Sequence, residues 1–431
     1  MKKGICKIFI SITLITIFMI SFVGCENNKK DANKKSNSGE AITVLLPPWY
    51  QKGLEKTIPD FEADTGIKVK LEILDWEPLQ DRIVTSCSTG VAPADVTEFS
   101  WDWTNTYGEA GWYEPLNKYF SDDMWKDIAT KDVFSHKGKY MAVPIYNDFR
   151  LTYVDTADFT SAGIKDIPTT ADSMYEAAKK IKAAGVCNYP ILLPLSATSA
   201  TTTPWFMLTK AYGGELFDNN WNPLFAKKDS AGYKAMSWVM NAYKDGLINP
   251  AVLDYKGTDV VDHFKKGDSS IDIAGWAGNI TEYTKKDSAI ASTVKVIQVP
   301  GTKDGSRTYG LQEGVGIPTA SKHKEAAAKF IKWINKEKFM ENLFTEDGIF
   351  PNHASTITAL TKANKMPQGN TIKEAMSTIQ PLFPQGAPKW YAAWESDVAT
   401  YMNQIAKGQL TMDQGLKSIA GSAAKLKAKS K

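Results

Sequence analysis

The sequence predicts an α/β protein built of two lobes, and three observations carry the prediction. At 431 residues the chain exceeds what one hydrophobic core usually organises. Its first apolar elements read strand, helix, strand, the βαβ order of a mostly parallel sheet flanked by helices. The stretch Lys139 to Asp155, KYMAVPIYNDFRLTYVD, is β-rich yet carries Tyr146, Asn147, Asp148 and Arg150 in its middle. A strand interior rarely holds that set unless its polar groups face a cleft or solvent. The stretch is therefore read as a crossing between lobes, against the plainer reading of an edge strand with solvated charges.

The first residues bound the rest. Lys2, Lys3 and Lys7 precede an apolar run from Ile8 to Ile20, and Ser21-Phe22-Val23-Gly24-Cys25 closes it with small residues. Residues 1–24 are expected to be a signal peptide, and the closing pattern resembles a lipoprotein box with Cys25 as the lipidated residue. The apolar run is too short for a good spanning helix. Residues 25–40, ending in ENNKKDANKKSNSGE, read as a flexible tether, so the folded part is expected on the extracytoplasmic face of a membrane, held by a lipid. Removing the signal takes three lysines off a net charge of +3, which leaves no basic surface for nucleic acid.

Cys87 and Cys187 are too far apart in sequence to suggest a disulfide framework and read as small core residues. His136, His263, His323 and His353 stand apart from one another, so no zinc spacing exists, and no metal or cofactor is expected. Arginine is confined to Arg82, Arg150 and Arg307, which disfavours a ligand held by several bidentate clamps.

Along the chain, Ile42 to Leu46 is a short apolar strand ended by Pro47-Pro48, which delivers Trp49 and Tyr50 onto a loop. Leu54, Ile58 and Phe61 mark a helix stopped by Gly66. Ile67 to Leu74 is the second strand, Leu79 to Ser88 a helix, and the strand after Asp95 ends in Phe99-Ser100-Trp101-Asp102-Trp103. In open parallel sheets ligands lie beyond the carboxyl ends of the strands, which would gather Trp49, Tyr50, Trp101 and Asp102 on one rim. Trp103 and Trp112 read as packing residues.

His136 to Lys139 is a hairpin-like turn. Pro168-Thr169-Thr170 opens a helix through Ile181 that Gly185 ends, Pro190 to Leu195 is a strand, and Thr203-Pro204-Trp205 opens another helix. Residues 213–223 carry Asp and Asn at alternate positions, but Pro223 stands where a calcium loop needs glycine, so a turn is expected. Tyr233 to Leu247 is a helical stripe. The strand from Ser270 ends in Gly275-Trp276-Ala277-Gly278-Asn279, where flanking glycines would let an indole stand out beside a ligand. Val294 to Val299 is a strand, Ala326 to Ile334 a helix, Asp347 to Pro351 a break, and Trp390-Tyr391-Ala392-Ala393-Trp394 precedes a long helix.

Several runs in this order carry a resemblance: FEADTGIKVKLEIL, GVAPADVTEFSWDW, GWYEPLNKYF, KGKYMAVPIYNDFRLTYVD, Tyr309-Gly310-Leu311-Gln312, and GVGIPTASKHKEAAAKFIKWI. Together they resemble the extracellular solute-binding proteins of ABC transporters, the maltodextrin- and multiple-sugar-binding kind, over nearly the whole mature chain. Tyr153-Val154-Asp155 departs from the Tyr-Asn more usual there. The resemblance implies a periplasmic-binding-protein-like fold with the ligand cleft between the lobes. It also implies three crossings, near Asp148 to Thr152, Val299 to Tyr309 and Phe344 to Pro351. The first lobe would comprise residues 41–148 and 300–346, the second 149–299 and 347–431. An aromatic of the late stretch, Trp390 or Trp394, would face the cleft.

Three functions fit the residues. A lipoprotein that captures an oligosaccharide for a membrane permease suits thirteen tryptophans, because sugar C–H faces stack on indoles while hydroxyls pair with Asp, Glu and Asn. A surface glycosidase would need two carboxylates facing across the scissile bond; Asp102, Asp148 and Glu313 could supply them, yet they serve hydroxyl recognition equally. An adhesion lipoprotein would lack a deep closing cleft. No nucleophile elbow, P-loop or dinucleotide fingerprint occurs, so the expectation is a monomeric binding protein and no enzyme. Its expected ligand contacts are Trp49, Tyr50, Trp101, Asp102, Tyr146, Asp148, Arg150, Trp205, Trp276, Asn279, Glu313 and Trp390.

Overall fold

Ala41–Leu46 (β1), Lys68–Ile73 (β2) and Val96–Ser100 (β3) run parallel in the order β2-β1-β3. They belong to a computed structural model that describes residues 40–128 and 130–430. The expected signal peptide, Cys25 and the tether up to residue 39 lie outside the described residues. Between β1 and β2, helix Gln51–Thr65 buries Leu54 and Phe61 and stops where Gly66 turns left-handed at φ 72°. Only glycine adopts that angle without strain. Helix Trp76–Ser88 then returns the chain to β3.

Ser135–His136 (β4) and Lys139–Tyr140 (β5) form the expected hairpin. Val143–Tyr146 (β6) closes the far edge of the first sheet beside Glu313–Gly316 (β12), in the order β2-β1-β3-β12-β6. Arg150–Asp155 (β7) already belongs to a second sheet, with Ile191–Leu192 (β8), Ile271–Trp276 (β9) and Val294–Ile297 (β10), in the order β10-β7-β9-β8. The first crossing is therefore Asn147-Asp148-Phe149. The second leaves β10 and reaches Glu313–Gly316 (β12), passing through Thr308–Gly310 (β11), which pairs in parallel with Ile379–Pro381 (β13).

Each sheet holds one reversed strand. β7 lies antiparallel to β9 and β10, while β12 lies antiparallel to β3 and β6. Both are the strand by which the chain has just entered the sheet from the other lobe, so they arrive against the direction set by the βαβ returns. The third crossing follows helix Glu337–Asp347, which ends at Gly348 with φ 71°, and runs on through Phe350. It touches the first, for Asn147 N donates to Phe350 O at 3.0 Å and Phe149 meets the Phe350 ring edge-on at 5.3 Å.

Helix Ala171–Ala183 starts on Thr170, whose hydroxyl accepts from Ser173 N in a capping box. The 213–223 segment is a turn closed by Asp218, which takes the amides of Asn220 and Asn222. Cys87 and Cys187 are unpaired thiols, both half-buried. No helix among the described residues is long and apolar enough to cross a membrane.

Candidate functional site

Arg150 opens β7 immediately after the first crossing and is 3% exposed. Its guanidinium pairs with Asp148. Strand register sets Trp276 of β9 directly opposite, and the guanidinium lies 4.8 Å from that indole and 6.0 Å from the Tyr309 ring. Burial pushes the Asp148 carboxyl up to about 6 although Arg150 opposes the shift. The Asp148 carbonyl accepts from Leu311 N at 2.6 Å, which ties the first crossing to the second. That approach leaves no room beside Gly310, where a Cβ would stand 2.3 Å from the Gln312 amide nitrogen and 3.1 Å from Asp148 O.

The end of β3 supplies the first-lobe wall. Ser100 Oγ donates to Glu313 Oε1 at 3.3 Å. Trp101 N donates to Gln312 O at 3.1 Å, and its ring meets Tyr391 of the second lobe at 5.1 Å. The half-buried Asp102 carboxyl is pushed up to about 6 by burial, against the Ser100 hydrogen bond. Beneath it, Glu98 on β3 is fully buried and raised to about 8 by desolvation. Glu313 on the adjoining β12 is raised well above its ordinary range, by burial and then by the Glu98 charge. Two neighbouring carboxyls cannot both ionise at low cost. Tyr50 Oη donates to Glu98 Oε1 at 3.4 Å, and the two glutamate side chains hydrogen-bond each other, which a proton held on one of them allows.

The second lobe faces these groups with Glu395, on helix Tyr391–Ala406. Its Oε1 accepts from Tyr391 Oη at 2.7 Å and Thr202 Oγ1 at 3.2 Å. Burial raises its carboxyl to about 7, and the negative charge of Asp102 adds to the shift. A cavity of about 480 Å³ adjoins this cluster, lined by Trp101, Thr104 and Asn105 on one side and by Gln312, Gln380 and Phe383 on the other. That volume lies within the range of small-molecule sites.

Residues 46–341 match the family described as bacterial extracellular solute-binding protein. The chain belongs to that family. The diacetylchitobiose binding protein DasA of Streptomyces coelicolor is 26% identical over 416 residues, covering 92% of this chain and 93% of its own. The mannitol-binding protein of Pseudomonas aeruginosa is 22% identical over 387 residues, 84% of this chain and 87% of its own. Maltose-bound MalE3 of T. maritima superposes at a TM-score of 0.79 with 19% identity, covering 90% of this chain and 99% of the other. At that identity the likeness is one of fold: two lobes with a cleft between them.

In this solute-binding protein the structure brings together Trp101, Asp102, Tyr146, Asp148, Arg150, Trp276 and Glu313 of the expected contacts. Tyr146 pairs with Glu313 in register. Tyr50 is buried and meets the site through its hydrogen bond to Glu98. Trp49 is half-buried against Trp76 at 5.6 Å, and Trp76 stacks on Trp103 at 5.2 Å, so its indole belongs to a packed aromatic row.

Three expected contacts are elsewhere. Trp205 is fully buried, with its Nε1 donating to Gly232 O at 2.8 Å, because every residue of helix Thr202–Ala211 is buried. Asn279 gives its amide to Tyr283 Oη at 3.2 Å, and Tyr283 in turn holds Asp272 at 2.7 Å. Trp390 turns to Phe217 and Trp221, at 5.7 and 5.5 Å. Trp394 is core, stacked on Phe206 at 5.7 Å, so the late-stretch aromatic that reaches Trp101 is Tyr391, between the two expected. The glycines around Trp276 also serve the chain itself: a Cβ on Gly278 would lie 1.9 Å from Gly348 O, and one on Gly275 would lie 2.3 Å from Asp272 Oδ2.

Sequence reading missed Glu98, Tyr309, Tyr391 and Glu395. Glu98 left one signal, a lone charge inside the apolar strand VTEFS. Glu395 left another, four residues after Tyr391 on one helix face.

Proposed function

We propose that this protein captures an oligosaccharide between its lobes and delivers it to the permease of an ABC importer. The observation that carries the reading is the junction where Trp101 meets Tyr391 across the lobes at 5.1 Å, beside buried carboxyl acceptors and an adjoining cavity. Aromatic faces suit the C–H faces of sugar rings, and fixed acceptors suit their hydroxyls. The names of relatives, binding proteins for diacetylchitobiose, mannitol and maltotriose, support it. A ligand touching both lobes favours the closed arrangement by its differential contacts.

We assign residues 41–148 and 300–346 to the first lobe and 149–299 and 347–431 to the second, supported by the two large sheets, with the stretch up to β11 lying against the second lobe, where Gly301 bridges Thr170 and β11 pairs with β13. The protein works as a monomer and leaves its ligand intact. Glu98 is fully buried and cannot reach a glycosidic oxygen, which speaks against pairing it with Glu313 as hydrolytic acid and base. A lipid on Cys25 holds the chain at the extracytoplasmic face. Cys25→Ser should move the protein from the membrane fraction to the medium; unchanged fractionation refutes the anchor. Calorimetric titration with neutral and amino oligosaccharides should give binding of at least one, weakened in Trp101→Ala, with the sugar recovered whole. No binding across the panel, or cleavage products, overturns the reading.

A further inference from the structure

The cavity of about 480 Å³ lies at the junction of the lobes. Trp101, Asn105 and Thr130 border it from the first lobe, Gln312 from the second crossing, and residues 379–387 from the second lobe. Asn105 Nδ2 donates to Ala387 O at 3.3 Å, so both lobes close one chamber. No lysine, arginine or histidine is among its lining residues, and its one carboxylate, Asp132, is exposed and accepts the Tyr140 hydroxyl at 3.1 Å. An anionic group entering the chamber would meet no cation, which is costly once its water is displaced. A cationic group would meet only a carboxylate that stays in water, where an ion pair contributes little. The lining therefore suits an uncharged group.

The second-lobe wall is largely hydrocarbon: Ile379, Pro381, Leu382, Phe383 and Pro384 all line it. Phe383 stands 6.3 Å from Trp101 with the rings 35° apart, and such rings suit the C–H face of a pyranose. Pro381 and Leu382 carry no aromatic face and fit a small apolar substituent instead. A sugar hydroxyl laid against them would give up water without gaining a hydrogen bond. Amides interrupt this wall. Gln312, Gln380 and Gln385 each bring a donor and an acceptor. The Gln385 amide nitrogen is taken by Asp218 O at 3.3 Å, and Thr104 spends its hydroxyl on Trp101 O and Val133 O at 3.1 and 3.0 Å. Thr130 Oγ1, on the opposite side from Gln380, is buried with no hydrogen-bond partner among the described residues.

An acetamido group presents an N–H, a carbonyl and a methyl together without charge, and this lining answers all three. We infer that the cavity takes a sugar ring bearing an N-acetyl group, with the methyl against Pro381 and Leu382, the amide between Gln380 and Thr130, and the ring face on Trp101. This rests on the carbohydrate-capture reading and deepens it by assigning the ligand to the N-acetylated class. A plain hydroxyl in the same place would use the amides and leave the hydrocarbon wall unfilled. A free amine would carry a charge that the lining does not answer.

The test is calorimetry on the whole mature protein near neutral pH with three β-1,4 dimers that differ at the second carbon: the N-acetylglucosamine dimer, the glucosamine dimer and cellobiose. The acetylated dimer should bind at least about tenfold tighter than either of the others. Gln380→Leu with Thr130→Val removes both polar partners of the acetamido group, so it should weaken the acetylated dimer by about tenfold and cellobiose far less. An unchanged unfolding midpoint shows that the variant is folded, and Gln380→Ala, at a half-buried side chain, gives the same comparison where the double variant is not. If cellobiose or the free-amine dimer binds as tightly as the acetylated one, or the variants keep the preference, the inference fails while carbohydrate capture stands. If none of the dimers binds and oligosaccharides without N-acetyl groups do, it fails as well. If no carbohydrate binds, both fall.

Discussion

Trp276 and Arg150 face each other across neighbouring strands, and the indole covers a guanidinium that is 3% exposed. A desolvated cation over an indole contributes up to about 2 kcal/mol, and the half-exposed ring keeps an edge for ligand. Trp276→Ala should weaken ligand binding by about 1–3 kcal/mol and move the unfolding midpoint little. Trp205→Ala should do the reverse, lowering stability by about 3–5 kcal/mol through the cavity it leaves. Affinity and unfolding midpoint measured on both variants separate the roles; a Trp276→Ala protein as unstable as Trp205→Ala, with affinity intact, removes Trp276 from the site. The two tryptophans looked alike in sequence, each next to a turn-forming residue. What distinguished them was the run TTPWFMLTKA, apolar around the whole helix and therefore buried, a pattern that outweighs the single proline before Trp205.

Elements were legible wherever one residue ends them. Gly66, Gly185 and Gly348 each turn left-handed, and glycine is the residue that does so freely. Partners of elements were less legible, because pairing depends on residues far apart. Nothing local announces that Thr308 pairs with Ile379, or that Gly278 and Gly348 touch. The second contact is testable. A Cβ on Gly278 would stand 1.9 Å from Gly348 O, so Gly278→Ala must push the third crossing off the end of β9. Overpacking of that kind costs about 1–3 kcal/mol. Gly421→Ala is the control, since its Cβ meets nothing within 4 Å and it lies inside helix Met412–Lys429, where alanine is favoured by about 0.5–1 kcal/mol. Denaturant midpoints should fall for the first and hold or rise for the second. Equal midpoints for Gly278→Ala and the parent would show that the crossing yields freely.

Across the whole molecule, two lobes could be read from length and from the polar centre of one strand-like stretch. The acid cluster could not, because it assembles positions 98, 102, 148, 313 and 395 from both lobes. Its consequence is a pH dependence of stability with a definite sign. Burial holds Asp102 and Asp148 at about 6, Glu395 at about 7 and Glu98 at about 8, whereas unfolded carboxyls titrate near about 4. Between those limits the folded chain binds more protons than the unfolded one, so stability falls as pH rises through the window. Glu62 and Glu72, held low by Lys68 and Lys70, lose their contribution only below the ordinary carboxylate range. His353, lowered by burial, works in the opposite sense as pH falls through the ordinary imidazole range, as one group against the five raised acids of the cluster. The unliganded protein should therefore unfold at higher denaturant at about pH 5.5 than at about pH 8.5. Glu98→Gln keeps an acceptor for the Tyr50 hydroxyl and removes one of the two most strongly raised carboxyls of the cluster, so it should raise the midpoint at the higher pH and leave the lower one nearly unchanged. A parent protein more stable at the alkaline end, or a Glu98→Gln variant with an unaltered slope, would mean that these carboxyls are solvated in the free protein and that the cleft stands open enough to keep them charged.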